Sequence, residues 1–338
     1  MKKIGLTLGK YAPLHAGHQF VFETALKEVD QLYVLIYQSA VTDIPLNIRA
    51  QWIRDLYPQI HVLEAWDGPE GYSNERSFEI EQENYILQQL NGVQISHFYS
   101  SEFYGAHVSH ALSALDRRLD PDREHVPISA TLIRENAYRY RQFVSALVYP
   151  DLITKVVMVG AMSTGKSTLV EALAHKYQTT FAAEYGREYW EKHQVDRRIG
   201  FEDFDLIADG QIEREDQAII DANQYLFVDT NAITTCMYCL DYHQRLPEHL
   251  ERVALKNPQR YDLFFLCDDD IPYDDTWDRS GPQKRSVFQQ KIIADLKQRN
   301  IPYITLSGSL EQRINKVAMI LSKFKKYQNF YAHDIFEY

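Results

Sequence analysis

Two loops in this 338-residue sequence carry the residue types that handle phosphate. The first reads Gly9-Lys10-Tyr11-Ala12-Pro13-Leu14-His15-Ala16-Gly17-His18. A glycine closes an apolar run, a proline stiffens the turn, and two histidines flank a glycine where a helical pattern begins. Histidines three apart share one side of a helical turn. Gly17 lets a ligand approach the backbone closely, and the helix start adds free N–H groups and partial positive charge. Together with Lys10, the two imidazoles can steady charge that develops on a reacting phosphorus. The histidine spacing alone is weak, because His107 and His110 repeat it where a plain helix surface is the better reading.

The second loop, Gly160-Ala161-Met162-Ser163-Thr164-Gly165-Lys166-Ser167, matches G-x-x-x-x-G-K-[ST] in full. A strand-like run at Val156–Val159 precedes it and the helical pattern Thr168–Tyr177 follows, which is the context such a loop needs. Its N–H groups would cradle phosphates, Lys166 would reach the β/γ-oxygens, and Ser167 would ligate Mg²⁺, so this is read as an ATP site. Asp229, in Phe227-Val228-Asp229-Thr230, stands where a Walker-B carboxylate or catalytic base belongs, with a plain helix cap as the alternative. Glu184-Tyr185-Gly186-Arg187 follows the run Thr180–Ala183 and offers a second carboxylate. The loop from Trp277 to Arg285 contains Arg279, Lys284 and Arg285, cations suited to closing over a transferring phosphate. A hydroxyl acceptor needs help losing its proton, whereas a phosphate acceptor is already an anion. Carboxylates beside the second loop, and none in the first, predict two different phosphorus reactions.

The string from Gly9 to His18 resembles the nucleotidylyltransferase superfamily, whose signature is a His-x-Gly-His loop after the first strand. A second family signature is visible as Ile128-Ser129-Ala130-Thr131-Leu132-Ile133-Arg134. The resemblance implies that Ser129 and Thr131 open a helix under the ATP phosphates and that Arg134 reaches the β/γ-phosphates. With Ser100-Ser101-Glu102-Phe103-Tyr104-Gly105, the second loop, Glu184–Arg187, Val228–Thr230 and the Arg279 loop, nearly the whole chain resembles the bifunctional NadR-type proteins. That likeness implies a kinase that phosphorylates nicotinamide riboside and an adenylyltransferase that joins the mononucleotide (NMN) to AMP from ATP, giving NAD and pyrophosphate. Arg49 is placed like a family nucleotide-binding arginine, Tyr185 and Arg187 fall in the implied substrate region, and Trp66 is a candidate for stacking on the pyridine ring. Two alternatives stay open: a coenzyme A pathway adenylyltransferase/kinase pair, and a nucleotide-sensing regulator with an activity lost. Some family members carry a helix-turn-helix repressor domain ahead of the first strand; here that strand begins by Lys3, and no such domain is expected.

These loops require strands to deliver them and helices to receive them. Lys3–Gly9, Leu32–Tyr37, Ile60–Leu63 and Ile95–Tyr99 are strand candidates in the first half, and Val156–Val159, Tyr225–Val228, Asp262–Leu266 and Tyr303–Leu306 in the second. Strands separated by helical patterns predict parallel sheets, so the expectation is α/β with two domains. The first, residues 1–150, would be a Rossmann-like nucleotidylyltransferase and the second, 151–338, a P-loop kinase, with Pro150 at the break. A net charge of −11 speaks against a nucleic-acid surface, which needs a positive footprint. No apolar stretch approaches the ~20 residues that span a bilayer, and three cysteines make no disulfide framework, so a cytoplasmic protein is expected. Cys236-x-x-Cys239 with His243 looks metal-like, yet its apolar surroundings favour core thiols. The aromatic tail Tyr327–Tyr338 suggests packing on a domain or on another subunit of a homo-oligomer.

Overall fold

The computed structural model describes residues 2–69, 75–101, 106–196, 198–272 and 282–328. It divides into two compact units, Met1–Tyr149 and Pro150–Tyr338. The first contains β1 (Ile4–Gly9), α1 (Ala16–Glu28), β2 (Gln31–Tyr37), α2 (Leu46–Leu56), β3 (His61–Ala65), α3 (Arg76–Leu90), β4 (His97–Ser100), α4 (Ala106–Ala111), β5 (Leu115–Arg118) and α5 (Ala130–Glu135). A short helix, α6 (Tyr149–Leu152), spans the division. The second unit contains β6 (Thr154–Val159), α7 (Lys166–Tyr177), β7 (Phe181–Ala182), α8 (Tyr185–His193), α9 (Asp203–Ala218) and β8 (Tyr225–Asp229). It continues with α10 (Ala232–His243), α11 (Glu248–Lys256), β9 (Leu263–Cys267), α12 (Pro282–Gln298), β10 (Ile304–Leu306) and α13 (Leu310–Lys323).

Each unit is an α/β structure around a five-stranded parallel sheet, ordered β3-β2-β1-β4-β5 in the first and β10-β9-β6-β8-β7 in the second. Strands buried on both faces read as continuous apolar runs, and β8 is buried at every position. In both sheets the first strand of the unit lies in the middle, with its neighbours leading off to opposite sides. Ligands bind in the crevice outside the carboxyl ends of strands at such a reversal. The loop after β1 and the loop after β6 therefore both open where the topology provides a cleft. The first core gathers Leu6, Leu35, Ile86, Leu90 and Phe98; the second gathers Val156, Leu169, Phe227, Phe265 and Val317.

One strand escapes the sequence reading. β5 is Leu115-Asp116-Arg117-Arg118, too charged to look like a strand. It occupies the sheet edge, where the Arg118–Asp116 pair (3.1 Å) and the Arg117 bond to Glu28 (3.0 Å) keep its charges near solvent. Cys236, Cys239 and Cys267 are buried free thiols. Their apolar surroundings push the first up to about 12 and the others up to about 11. They are packing residues. Among the described residues, no helix is long and apolar enough to cross a membrane.

Candidate active sites

In the N-terminal unit, β1 hands over to α1 through a loop shaped by two glycines. The Tyr11 ring covers Gly9, where a Cβ would meet it at 3.1 Å. His15 caps α1 by turning back so that its Nδ1 accepts the Gly17 N–H at 3.1 Å. A Cβ on Gly17 would stand 3.0 Å from the His15 ring, so glycine is what the cap requires. His18 Nδ1 in turn accepts the His15 N–H at 3.3 Å, closing a capping box built from imidazoles. A neutral ring that accepts at Nδ1 carries its proton on Nε2. Each histidine therefore keeps an Nε2–H donor.

The two rings stack with centroids 3.8 Å apart. Burial, then the charge of Arg123, lowers the His15 pKa to about 4. Burial, then His15, then Arg123 holds His18 well below the usual imidazole range. Both are uncharged at neutral pH. They line a cavity of about 220 Å³ with Gly9, Lys10, Gly17, Ser129, Thr131 and Arg134. Ser129 caps α5 by accepting the Leu132 N–H at 3.3 Å. Arg134 donates to the Ala12 carbonyl at 2.6 Å and to Thr131 Oγ1 at 3.0 Å, tying the second signature to the first loop. Among the described residues Asp120 is the acidic residue of this lining, and both its oxygens accept backbone N–H groups, from His125 and Val126, each at 3.0 Å.

Two residues read from sequence as ligand contacts stand elsewhere. Arg49 is fully buried, and its guanidinium donates to the carbonyls of Ile44 (2.9 Å), Tyr37 (3.3 Å) and Lys10, and to Gln38 Oε1 (3.2 Å). It braces the Lys10 main chain from behind and does not line the cavity. Trp66, one residue past β3, is 55% exposed and outside the cavity wall. Arg123 was not legible in advance. It lies in a loop after β5 with φ 55, lines the cavity and sends its charge to both imidazoles.

In the C-terminal unit, the loop from Gly160 to Gly165 is held on every side. Gly160 has φ 142, and a Cβ there would collide with the Cys267 carbonyl at 2.7 Å. Ala161 N–H donates to Gln289 Oε1 (2.8 Å), whose Nε2 donates to the same Cys267 carbonyl (2.9 Å). Arg313, 2% exposed, donates to the carbonyls of Thr164 (2.6 Å), Gly308 (3.0 Å) and Asp268 (3.2 Å), and also pairs with Asp270. Lys166 Nζ lies on the Gly160 and Ala161 carbonyls at 3.0 and 2.9 Å.

A cavity of about 500 Å³ runs from this loop (Met162, Ser163, Thr164, Gly165, Lys166, Ser167 and Thr168) past Glu184 and Arg187 to the rings of Trp190, Phe204, Tyr238 and Tyr242. Asp229 closes β8 beside Ser167, with which it shares a hydrogen bond. Burial raises its pKa, opposed by Lys166, Ser167 and Arg187. Asp229 Oδ1 is buried without a hydrogen-bond partner. A buried carboxylate oxygen beside a serine hydroxyl fits the hard oxygen ligands that Mg²⁺ takes when phosphates supply the rest.

Here too the structure corrects two sequence assignments. Arg285 is no lid residue: it is buried, and donates to the carbonyls of Ser163 (3.3 Å), Ile271 (3.0 Å) and Asp269 (3.0 Å), supporting the loop from beneath. Tyr185 lies outside the cavity wall, packed over Gly210 with Arg214 4.9 Å from its ring centre. Arg279 and residues 102–105 lie outside the described residues.

Comparison with known proteins identifies the family. Residues 155–313 match the AAA domain family. The chain is 31% identical over 327 residues to the trifunctional NAD biosynthesis/regulator protein NadR of Salmonella typhimurium, covering 90% of this chain and 78% of that protein. The corresponding Escherichia coli protein is 31% identical over 328 residues, with the same coverage. The chain belongs to the NadR family. Among solved structures, NadR protein in complex with NR has a TM-score of 0.57 at 24% identity, covering 95% of this chain and 96% of that one. NadR protein in complex with NAD and AMP-PNP has a TM-score of 0.56 at 22% identity, with the same coverage. The NadR fold thus extends over nearly the whole chain, and family membership places it in NAD biosynthesis as a nucleotide-binding protein.

Proposed function

We propose that the C-terminal unit transfers the γ-phosphoryl group of ATP to nicotinamide riboside, and that the N-terminal unit joins the resulting mononucleotide to AMP from a second ATP. The observation that carries this reading is the opposite protonation chemistry of the two clefts. One presents neutral imidazole donors, and its lining carboxylate is already occupied by backbone N–H groups. The other holds a buried carboxylate with a raised pKa beside a lysine and a serine.

In the kinase step, the acceptor hydroxyl oxygen bonds to the γ-phosphorus, the bond from that phosphorus to the β-bridging oxygen breaks, and ADP leaves. One of the two carboxylates at this cleft, Asp229 or Glu184, takes the hydroxyl proton. Glu184 and Arg187 face the same cavity. Mg²⁺, held by Ser167 and Asp229 with the phosphates, would neutralise phosphate charge there. In the adenylyl step, a phosphate-monoester oxygen bonds to the α-phosphorus, and pyrophosphate departs as the α–β bridge breaks. That nucleophile is already an anion, so positioning and charge stabilisation suffice. His15 and His18 donate through Nε2–H, with Lys10 and Arg134 adding positive charge. The neutral imidazoles need no counter-ion while waiting for substrate.

NadR kinship, and the NR and NAD seen in complexes of NadR proteins, favour the nicotinamide series over the coenzyme A series. The test is a time course with ATP and nicotinamide riboside. NMN should rise and then fall as NAD forms. Lys166→Ala should cut NMN formation by at least ~100-fold while supplied NMN is still converted, and His18→Ala should let NMN accumulate. Phosphopantetheine accepted in place of NMN, or no phosphorylated riboside, would overturn the reading.

A further inference from the structure

In the wall of the C-terminal cleft, the Thr230 hydroxyl has no hydrogen-bond partner among the described residues. Thr230 is 5% exposed. It follows Asp229, whose own unpartnered Oδ1 suits Mg²⁺, and Gln211 lines the same cavity. Native interiors leave few such atoms unpaired, and a buried hydroxyl in a cavity wall points to a ligand that supplies the missing partner.

Thr230 also holds a costly backbone conformation. Its φ is 68, the left-handed region that a β-branched residue avoids. Its N–H donates to the Met158 carbonyl at 3.0 Å, which ties the strained backbone to β6. Glycine would take this conformation without penalty, so the fold accepts strain and keeps a hydroxyl in the cavity wall. Gln211 is oriented by chemistry: its Oε1 accepts the Tyr185 N–H at 2.8 Å, which leaves Nε2 as the donor. Nε2 in turn donates to the Glu215 carboxylate, which also accepts from Tyr261 (2.7 Å) and Arg260 (3.1 Å). Thr230 Oγ1 is thus left as a donor/acceptor suited to a ligand hydroxyl.

We propose that Thr230 determines acceptor specificity, its Oγ1 hydrogen-bonding a ring hydroxyl of a sugar-bearing phosphoryl acceptor. This rests on the kinase reading of the cleft. The test compares Thr230→Val, which keeps the shape and removes the hydroxyl, with Thr230→Ser, which keeps the hydroxyl. Steady-state phosphorylation of nicotinamide riboside is measured on the full chain, with adenylyl transfer to NMN as the internal control. Thr230→Val should raise the KM for the riboside about tenfold, with the KM for ATP and the adenylyl transfer unchanged. It should melt no lower than the parent, because it replaces a buried unpaired hydroxyl with a methyl group. Thr230→Ser should stay within about twofold of the parent. One monodeoxy analogue of the riboside should be poor for the parent and no poorer for Thr230→Val. An unchanged riboside KM in Thr230→Val, equal loss in Thr230→Ser, or an equal rise in the ATP KM would each overturn the proposal while leaving the kinase reading intact. A parent chain that transfers no phosphate to the riboside would instead remove the kinase reading, and the proposal with it.

Discussion

Lowering the pH should loosen the N-terminal unit through its paired imidazoles, and the size of the effect follows from burial. His15 has a folded-state pKa of about 4, against about 6.5 for an unfolded histidine. Between those values the unfolded chain binds more protons than the folded one. Stability is therefore complete above about pH 6.5 and is lost as the pH falls toward about 4. At about pH 5 the difference amounts to about 2 kcal/mol for His15 alone, most of it lost below about pH 7. His18 is shifted in the same direction and should add to the loss.

Hydrogen exchange of the α1 amides reports this unit separately, at about pH 7 and about pH 5 after correction for intrinsic rates. His15→Asn is the informative variant. Asparagine still accepts the Gly17 N–H as a helix cap but does not titrate. It should lose part of the pH sensitivity, and the His15→Asn/His18→Asn double variant more of it. The same acid-dependent loss in the double variant as in the parent would refute the reasoning and move the effect to other groups.

Two further substitutions test how the second phosphate loop is built. Arg313→Ala strips donors from three carbonyls and leaves Asp270 without its guanidinium; the expected loss is about 3 kcal/mol, read from the thermal melt of the C-terminal unit. Lysine should not restore it, because an ammonium group cannot fork to several acceptors in one plane. In an exposed helix, Gly210→Ala would gain about 1 kcal/mol from helix propensity. Here the new Cβ would lie 2.1 Å from Tyr185 Cε1, so a net loss of about 1–3 kcal/mol is expected in urea unfolding.

The parts of both sites that sequence made legible are those built from consecutive residues. His15, Gly17 and His18 cap one another, and the residues from Gly160 to Ser167 form one loop, so local spacing carries the geometry. What eluded it arrives from far along the chain. Arg313 reaches Thr164 across 149 positions, and Gln289 reaches Ala161 across 128. Nothing in the pattern of α12 or α13 marks these side chains as supports for a loop in another element. Arg49 and Arg285 illustrate a related limit. A sequence can place an arginine near a phosphate loop without saying which side of the loop it takes. Both stand behind, where carbonyl oxygens rather than ligand oxygens receive the guanidinium. Charged β5 was hidden because an edge strand need not be apolar.

The two clefts share a parallel sheet, a central first strand and a glycine-bearing loop into a helix, yet they handle buried charge in opposite ways. In the first, burial holds the imidazoles neutral, so donors stay available without a counter-charge. In the second, Lys166 is 7% exposed and Asp229 2%, and each lies in the other's field. The field of Lys166 opposes the rise that burial imposes on the Asp229 carboxyl. The difference suits the nucleophiles. A phosphate monoester brings its own negative charge and is best met by donors that do not bind it too tightly before reaction. An alcohol brings a proton, and a buried base can remove it as the new bond forms. On the proposed reading, one type of scaffold would therefore serve both reactions, with burial setting the charge state in each cleft.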